Sequence, residues 1–155
     1  MVERTGFVAP KRDYAAFVIV TGIAGGIPLV IEKGNFPKKM WKLPGGRPLP
    51  EDDGDKFITA MREVNDEIGI IVEYPGKEIL RIPKSRHDFV VLEAKYFSGE
   101  LTAKAEIERV GQFSCSQIKQ MIEGGEILPD HAKSLINHIT AFGRLLPSIT
   151  IQIKV

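Results

Sequence analysis

The strongest constraint on the fold is a run near the start of the chain. Tyr14 to Thr21 reads YAAFVIVT, apolar at nearly every position and closed by Gly22. A strand with one wet face alternates polar and apolar residues, whereas a strand covered on both faces reads as one apolar stretch. The run therefore predicts a central strand with packing on both sides. Gly25-Gly26 reads as a turn, with Ile27 to Lys33 as the returning hairpin partner. Trp41 to Leu43 suggests a short strand leading into Gly45-Gly46, and Pro48, Pro50 and Glu51-Asp52-Asp53-Gly54-Asp55 suggest an acidic loop.

Further along, strands are expected at Ile70–Tyr74, Glu78–Ile82, Phe89–Phe97 and Glu106–Phe113. Ser114 or Ser116 would cap a helix running to about Glu123, where Gly124-Gly125 stops it. A last helix is expected from Pro129 or Asp130 to Phe142, with Gly143 as its stop. Ile149, Ile151, Ile153 and Val155 then alternate with polar residues, the period of a half-buried strand. The order of elements gives an α/β or α+β class with one core. One domain over residues 1–155 is expected, with an N-terminal arm at 1–12 and a C-terminal strand at 147–155.

The bulk numbers exclude several classes of function. A chain of 155 residues with 43% apolar content can bury a proper core. A net charge of +1 provides no field for a stable nucleic-acid partner or a membrane surface. One cysteine, Cys115, excludes an internal disulfide framework, fits a reducing compartment and reads as a small packed residue. No apolar run approaches the ~20 residues of a membrane span, and Met1-Val2-Glu3-Arg4 lacks an apolar signal core. A cytoplasmic location is the expectation.

The chemistry concentrates on one predicted helix. Phe57, Met61, Val64 and Ile68 fall on one face, Asp52 or Asp53 could cap the start, and Gly69 follows where a left-handed stop is expected. Glu63 and Glu67 share the edge of the apolar stripe, one turn apart, with Asp66 further toward solvent. Carboxylates so spaced suit a hard divalent cation, which prefers oxygen ligands and keeps several waters for a substrate phosphate to replace. A backbone carbonyl from Gly45 or Gly46 could add a ligand, because glycine permits close approach. Arg62 could hold a carboxylate in orientation through a two-pronged contact. On composition alone, a solvated acidic helix face would explain the same residues.

Gly45-Gly46 through Ile70 resembles the Nudix box, the pyrophosphohydrolase signature G-x5-E-x7-R-E-U-x-E-E-x-G-U, where U is apolar. Arg62-Glu63-Val64-Asn65-Asp66-Glu67-Ile68-Gly69-Ile70 fits its second half, with Asp66 in place of the first paired glutamate. Trp41-Lys42-Leu43-Pro44-Gly45-Gly46 is similar to the family's lead-in. The first half departs: fifteen residues separate Gly46 from Arg62 where the pattern has thirteen. Counted back from Arg62, the first glutamate falls on Gly54, leaving Asp53 or Asp55 as the nearest acids to replace it.

The resemblance implies a Nudix-type α/β/α sandwich with a mixed sheet, extended here by the C-terminal strand. It implies hydrolysis of a nucleoside diphosphate linked to another group, with Mg²⁺ or Mn²⁺ as cofactor. Carried over by position, Glu63, Asp66 and Glu67 become metal ligands together with Gly46, and Glu63 is also a candidate base. Arg62 becomes an orienting residue. Glu106 or Glu108 is the candidate for a further acid from a later loop, Glu106 being preferred. Lys38, Lys39, Lys42 and Arg47 flank the glycines, and Lys84, Arg86 and His87 form a second basic loop. Of these, Lys42, Arg47 and Arg86 are candidates for phosphate contact, and Trp41 and Phe36 for base stacking, with core packing as the plain alternative for the aromatics. His131 and His138 read as packing or surface residues. A small nucleotide-type molecule is the expected partner, and the tail could pair with a second copy to form a homodimer. The competing reading is a nucleotide-binding or regulatory module of the same fold with weak or no catalysis, motivated by the irregular first half of the box.

Overall fold

The computed structural model describes residues 13–34 and 39–145, with side chains up to Ala141 in the last helix. The N-terminal arm, Phe36, Lys38 and the strand expected at 147–155 lie outside the described residues. The central run forms β1 (Asp13–Thr21), and period two divides its side chains between two cores. Ala16, Val18 and Val20 face one side and Ala15, Phe17 and Ile19 the other. Parallel to β1 lies β6 (His87–Ser98), in register from Asp13↔His87 to Thr21↔Lys95. β3 (Gly45–Gly46) pairs antiparallel with β1, while β4 (Ile71–Val72) and β5 (Lys77–Pro83) pair antiparallel with β6. The sheet is mixed, as expected.

α1 (Lys56–Ile68) packs Ala60, Val64 and Ile68 on one face of that sheet. α2 (Cys115–Glu123) and α3 (Pro129–Leu145) cover the other with Ile118, Met121, Ala132 and Leu135. The result is the three-layer α/β/α sandwich that the family resemblance implied, and it falls within the α/β or α+β class read from the element order. Ser114 caps α2, and its side chain accepts from the Gln117 N–H at 3.1 Å. α3 does not stop at Gly143 but continues to Leu145, because a glycine weakens a helix interior by only about 1 kcal/mol relative to alanine.

One expectation about topology fails. β2 (Ile27–Glu32) does not return along β1 as a hairpin. It pairs antiparallel with β7 (Ile107–Phe113) in a separate two-stranded sheet. The connection carries three glycines at positive φ, which turn the chain out of the β1 plane. At Gly26 an added Cβ would stand 2.6 Å from the Phe113 carbonyl, so the close approach of β7 itself requires glycine there. This second sheet closes over the end of α1 and brings two further carboxylates to it.

Candidate active site

The glycine pair and α1 are built against one another. Gly45 has φ +147°, and an added Cβ would lie 2.1 Å from the Ala16 carbonyl oxygen. Its N–H donates to Glu67 Oε1 at 3.1 Å, tying the glycine strand to the last turn of α1. At Gly46 an added Cβ would meet Glu63 Oε2 at 2.6 Å, so this glycine leaves its backbone uncovered beside that carboxylate. Gly69 stops α1 in the left-handed conformation at φ 78°, as expected. On the strand leading in, Leu43 N–H donates to His131 Nδ1 at 3.1 Å, and the imidazole stands edge-on to Phe17 and Phe89. Burial lowers the His131 pKa to about 3, which keeps the ring neutral and able to accept.

Carboxylates on the two sides of α1 live in opposite environments. Glu67 is 1% exposed, and burial pushes its pKa up to about 8 despite the Lys42 ammonium and the Gly45 N–H. Burial likewise raises Glu63, with Arg62 opposing and Glu106 reinforcing the rise. Glu106 also adds to the acidity-opposing field at Glu67. Asp52 is equally buried, but its two oxygens take Arg62 Nε at 3.1 Å and Nη2 at 2.7 Å, plus the Thr59 hydroxyl at 2.8 Å. Those bonds hold it well below the ordinary carboxylate range.

Asp52 corrects the expectation for the first half of the signature. Asp55 caps α1 by accepting from Phe57 and Ile58 N–H, and Asp53 ends the short 3₁₀ turn Pro50–Asp52 at φ 55°. Neither points toward Arg62. Asp52 does, and it stands six positions after Gly46, where the pattern counted forward has its glutamate. The two extra residues therefore fall between this acid and α1, absorbed by the left-handed Asp53 and Gly54. Counting forward from the glycines would have found it.

A tight group of carboxylates lies across the end of α1. Oxygens of Glu32, Glu67 and Glu106 all come within 4.8 Å of one another. Glu106 is carried by a loop that hooks onto α1: Thr102 N–H donates to Ile68 O at 3.0 Å and Lys104 N–H to Glu67 O at 2.9 Å. Ala105, just before it, is held at φ 53°. Glu108 instead forms an ion pair with Lys39. Glu32, at the end of β2, carried no local signal in the sequence. Lys42 Nζ stands 3.1 Å from its Oε2 and 5.0 Å from the Phe17 ring centre. All donors in the group are oxygens, the set a hard divalent cation takes.

The other candidates are distributed as follows. Asp66 is 58% exposed and lies 3.7 Å from Arg62 Nη1, which also stands 3.4 Å from Glu63. Arg47 pairs with Asp13 on the surface, and its carbonyl accepts from Arg62 at 3.2 Å. Trp41 packs edge-on to Phe113 at 4.9 Å, with the Arg109 guanidinium 5.2 Å from its ring. Arg86 is exposed in the turn between β5 and β6. His138 of α3 pairs with Glu93 of β6.

The profile of the NUDIX domain matches residues 11–131. The chain belongs to the NUDIX domain family. Over 61 residues it is 44% identical to human nucleoside diphosphate-linked moiety X motif 6, a stretch covering 34% of this chain and 18% of that protein. The chain thus matches less than a fifth of that relative's length. Among solved structures, a NUDIX hydrolase from Nitrosomonas europaea superposes with a TM-score of 0.65 at 16% identity, covering 84% of this chain and 90% of that one. A bifunctional NMN adenylyltransferase/ADP ribose pyrophosphatase from Francisella tularensis, complexed with AMP and a Mn ion, superposes with a TM-score of 0.62 at 20% identity. That match covers 90% of this chain and 44% of the Francisella protein. These likenesses show a Nudix fold. Among the described residues no helix is long and apolar enough to cross a membrane.

Proposed function

We propose that this Nudix chain is a divalent-cation-dependent hydrolase that cleaves the pyrophosphate of a nucleoside diphosphate linked to a second moiety. The observation that carries the reading is the convergence of a buried and a half-buried carboxylate on the glycine pair, with Glu67 bonded to Gly45 and Glu63 against Gly46. An all-oxygen donor set beside an uncovered glycine fits Mg²⁺, with Mn²⁺ as a substitute. Glu63 and Glu67 would hold the cation with the Gly46 carbonyl, and Asp66 and Glu106 would complete the acidic rim. When bound, the cation supplies charge neutralisation at the pyrophosphate oxygens and a water of lowered pKa. Glu63, raised by burial, would take a proton from the attacking water. Arg62 is clamped by Asp52 and orients Glu63 and Asp66 through its remaining nitrogen. Lys42, Arg47 and Arg86 are the proposed phosphate contacts, and Trp41 the aromatic beside the nucleoside.

The binding-only reading drew on the irregular first half of the box. The contact of Asp52 with Arg62 supports an acid in that half, while the two-residue insertion still favours keeping that reading as an outcome of the test. The test is a substrate panel of nucleoside triphosphates, nucleotide sugars, ADP-ribose, dinucleoside polyphosphates and coenzyme derivatives, run with Mg²⁺ and Mn²⁺. Cleavage at the pyrophosphate that stops on adding EDTA is expected. Nucleotide binding with no turnover across the panel would instead favour a regulatory module. A homodimer through residues 147–155 is the corresponding proposal for assembly, checked by light scattering with and without that segment.

A further inference from the structure

We propose that Glu32 is a direct ligand of the divalent cation and that the Lys42 ammonium is its tethered competitor for that carboxylate. The inference rests on a cation binding between α1 and the glycine pair, and it adds a ligand from a different sheet. The β2–β7 ladder is regular from Ile27↔Phe113 to Ile31↔Arg109, then slips so that Glu32 pairs with Ile107 and Glu108 is passed over. A bulge of this kind re-aims side chains and is frequent beside active sites. Here it sends Glu108 out to Lys39 and leaves Glu32 beside Glu106, where the Lys33 N–H to Glu106 carbonyl bond of 2.8 Å fixes the two segments.

Lys42 supplies the second line of argument. Its side chain is only 8% exposed, yet it extends under the cluster and over Phe17 to reach Glu32. An ammonium buried there means that the cation-free chain already places a positive charge against these acids. Three carboxylates within 4.8 Å would otherwise repel one another at short range. A divalent ion to which Glu32 adds a ligand beside Glu67, with Glu106 at the rim, takes over that neutralisation and releases Lys42 from Glu32. The freed ammonium then lies next to the site where substrate phosphate must come.

The experiment is Mn²⁺ binding to the full chain, followed by electron paramagnetic resonance and calorimetry without substrate. Glu32→Gln should weaken Mn²⁺ about tenfold or more, while Glu108→Gln should leave it unchanged. Lys42→Met keeps the apolar stem and should tighten Mn²⁺ about threefold. In a Glu32→Gln background that tightening should vanish, because the competition runs through Glu32. Unchanged Mn²⁺ affinity in Glu32→Gln, or a Lys42→Met effect that survives it, overturns the proposal. Glu67→Gln separates this from failure of the broader reading: if it too leaves Mn²⁺ binding intact, no cation binds at this site at all. A circular-dichroism melt of each variant confirms that affinities are compared between folded chains.

Discussion

The two acidic regions joined by α1 are made from the same residue types and end in opposite electrostatic states. In the loop before the helix, Asp52 and Asp55 are consumed by partners of the protein itself: Arg62 and Thr59 for one, a helix start and the Tyr74 hydroxyl for the other. Their pKa values fall accordingly. Along the second half of the helix, Glu67 is buried and Glu63 half-buried, and desolvation outweighs the positive charge near them, so their pKa values rise. The first region is a finished structural clamp. The second is under-neutralised and suited to an incoming cation. Acid content alone does not distinguish a brace from a site; the balance of burial against partners does.

The largest expected break in this comparison is on the under-neutralised side. Glu67→Gln keeps the shape and the Gly45 bond but removes the charge, and should lower pyrophosphate hydrolysis about a thousandfold in steady-state assays. The same substitution should leave the cation-free chain at least as stable toward urea at pH 7, since folding no longer has to bring a proton onto a buried acid that is ionised in the unfolded chain. On the clamp side the signs reverse. Arg62→Ala strands the buried Asp52 charge and should cost about 3–5 kcal/mol in urea unfolding. Equal urea stability in both variants would mean that the two regions do not differ as described.

Acid titration sharpens the contrast further. His131 is lowered in the folded chain by burial and by the Lys42 charge, so below pH ~6.5 the unfolded chain takes up a proton that the native one refuses. The His131 contribution should therefore fall as pH drops from about 6.5 toward about 3. Glu67 follows the opposite trend, because its raised pKa adds stability as pH falls through about 8. Asp52 is also lowered, so its contribution is present above ~3.8 and lost below that. Unfolding free energies measured against pH should show the upper part of the acid limb flattened in His131→Asn and the lower part flattened in Asp52→Asn. The smallest effect is expected at Ala105, held at φ 53° beside Glu106. Ala105→Gly relieves that conformation and should be neutral or stabilising by about 1 kcal/mol in the same urea assay.

Much of the fold was legible because it is written in local periodicity and punctuation. The run Tyr14–Thr21 alternates between two buried faces, which needs layers on both sides, and β6 follows the same rule with Val90 and Leu92 opposite Phe89 and Val91. Gly69 and Ser114 marked helix ends because their backbone and side-chain chemistry acts within one turn. The box from Arg62 to Ile70 placed Glu63 and Glu67 on one helix edge by spacing alone. Pairing between distant segments is not encoded that way. Nothing in Ile27–Glu32 says that its partner is β7 rather than β1, because either neighbour satisfies the same apolar pattern. Glu32, and the physical reason that Glu106 and not Glu108 joins the group, depended on that pairing, on a one-residue slip and on which cation lay across the fold. Asp52, by contrast, was within reach of a forward count from Gly46. A carboxylate's role is set by the partners that meet it in space, and only the tertiary structure assigned them.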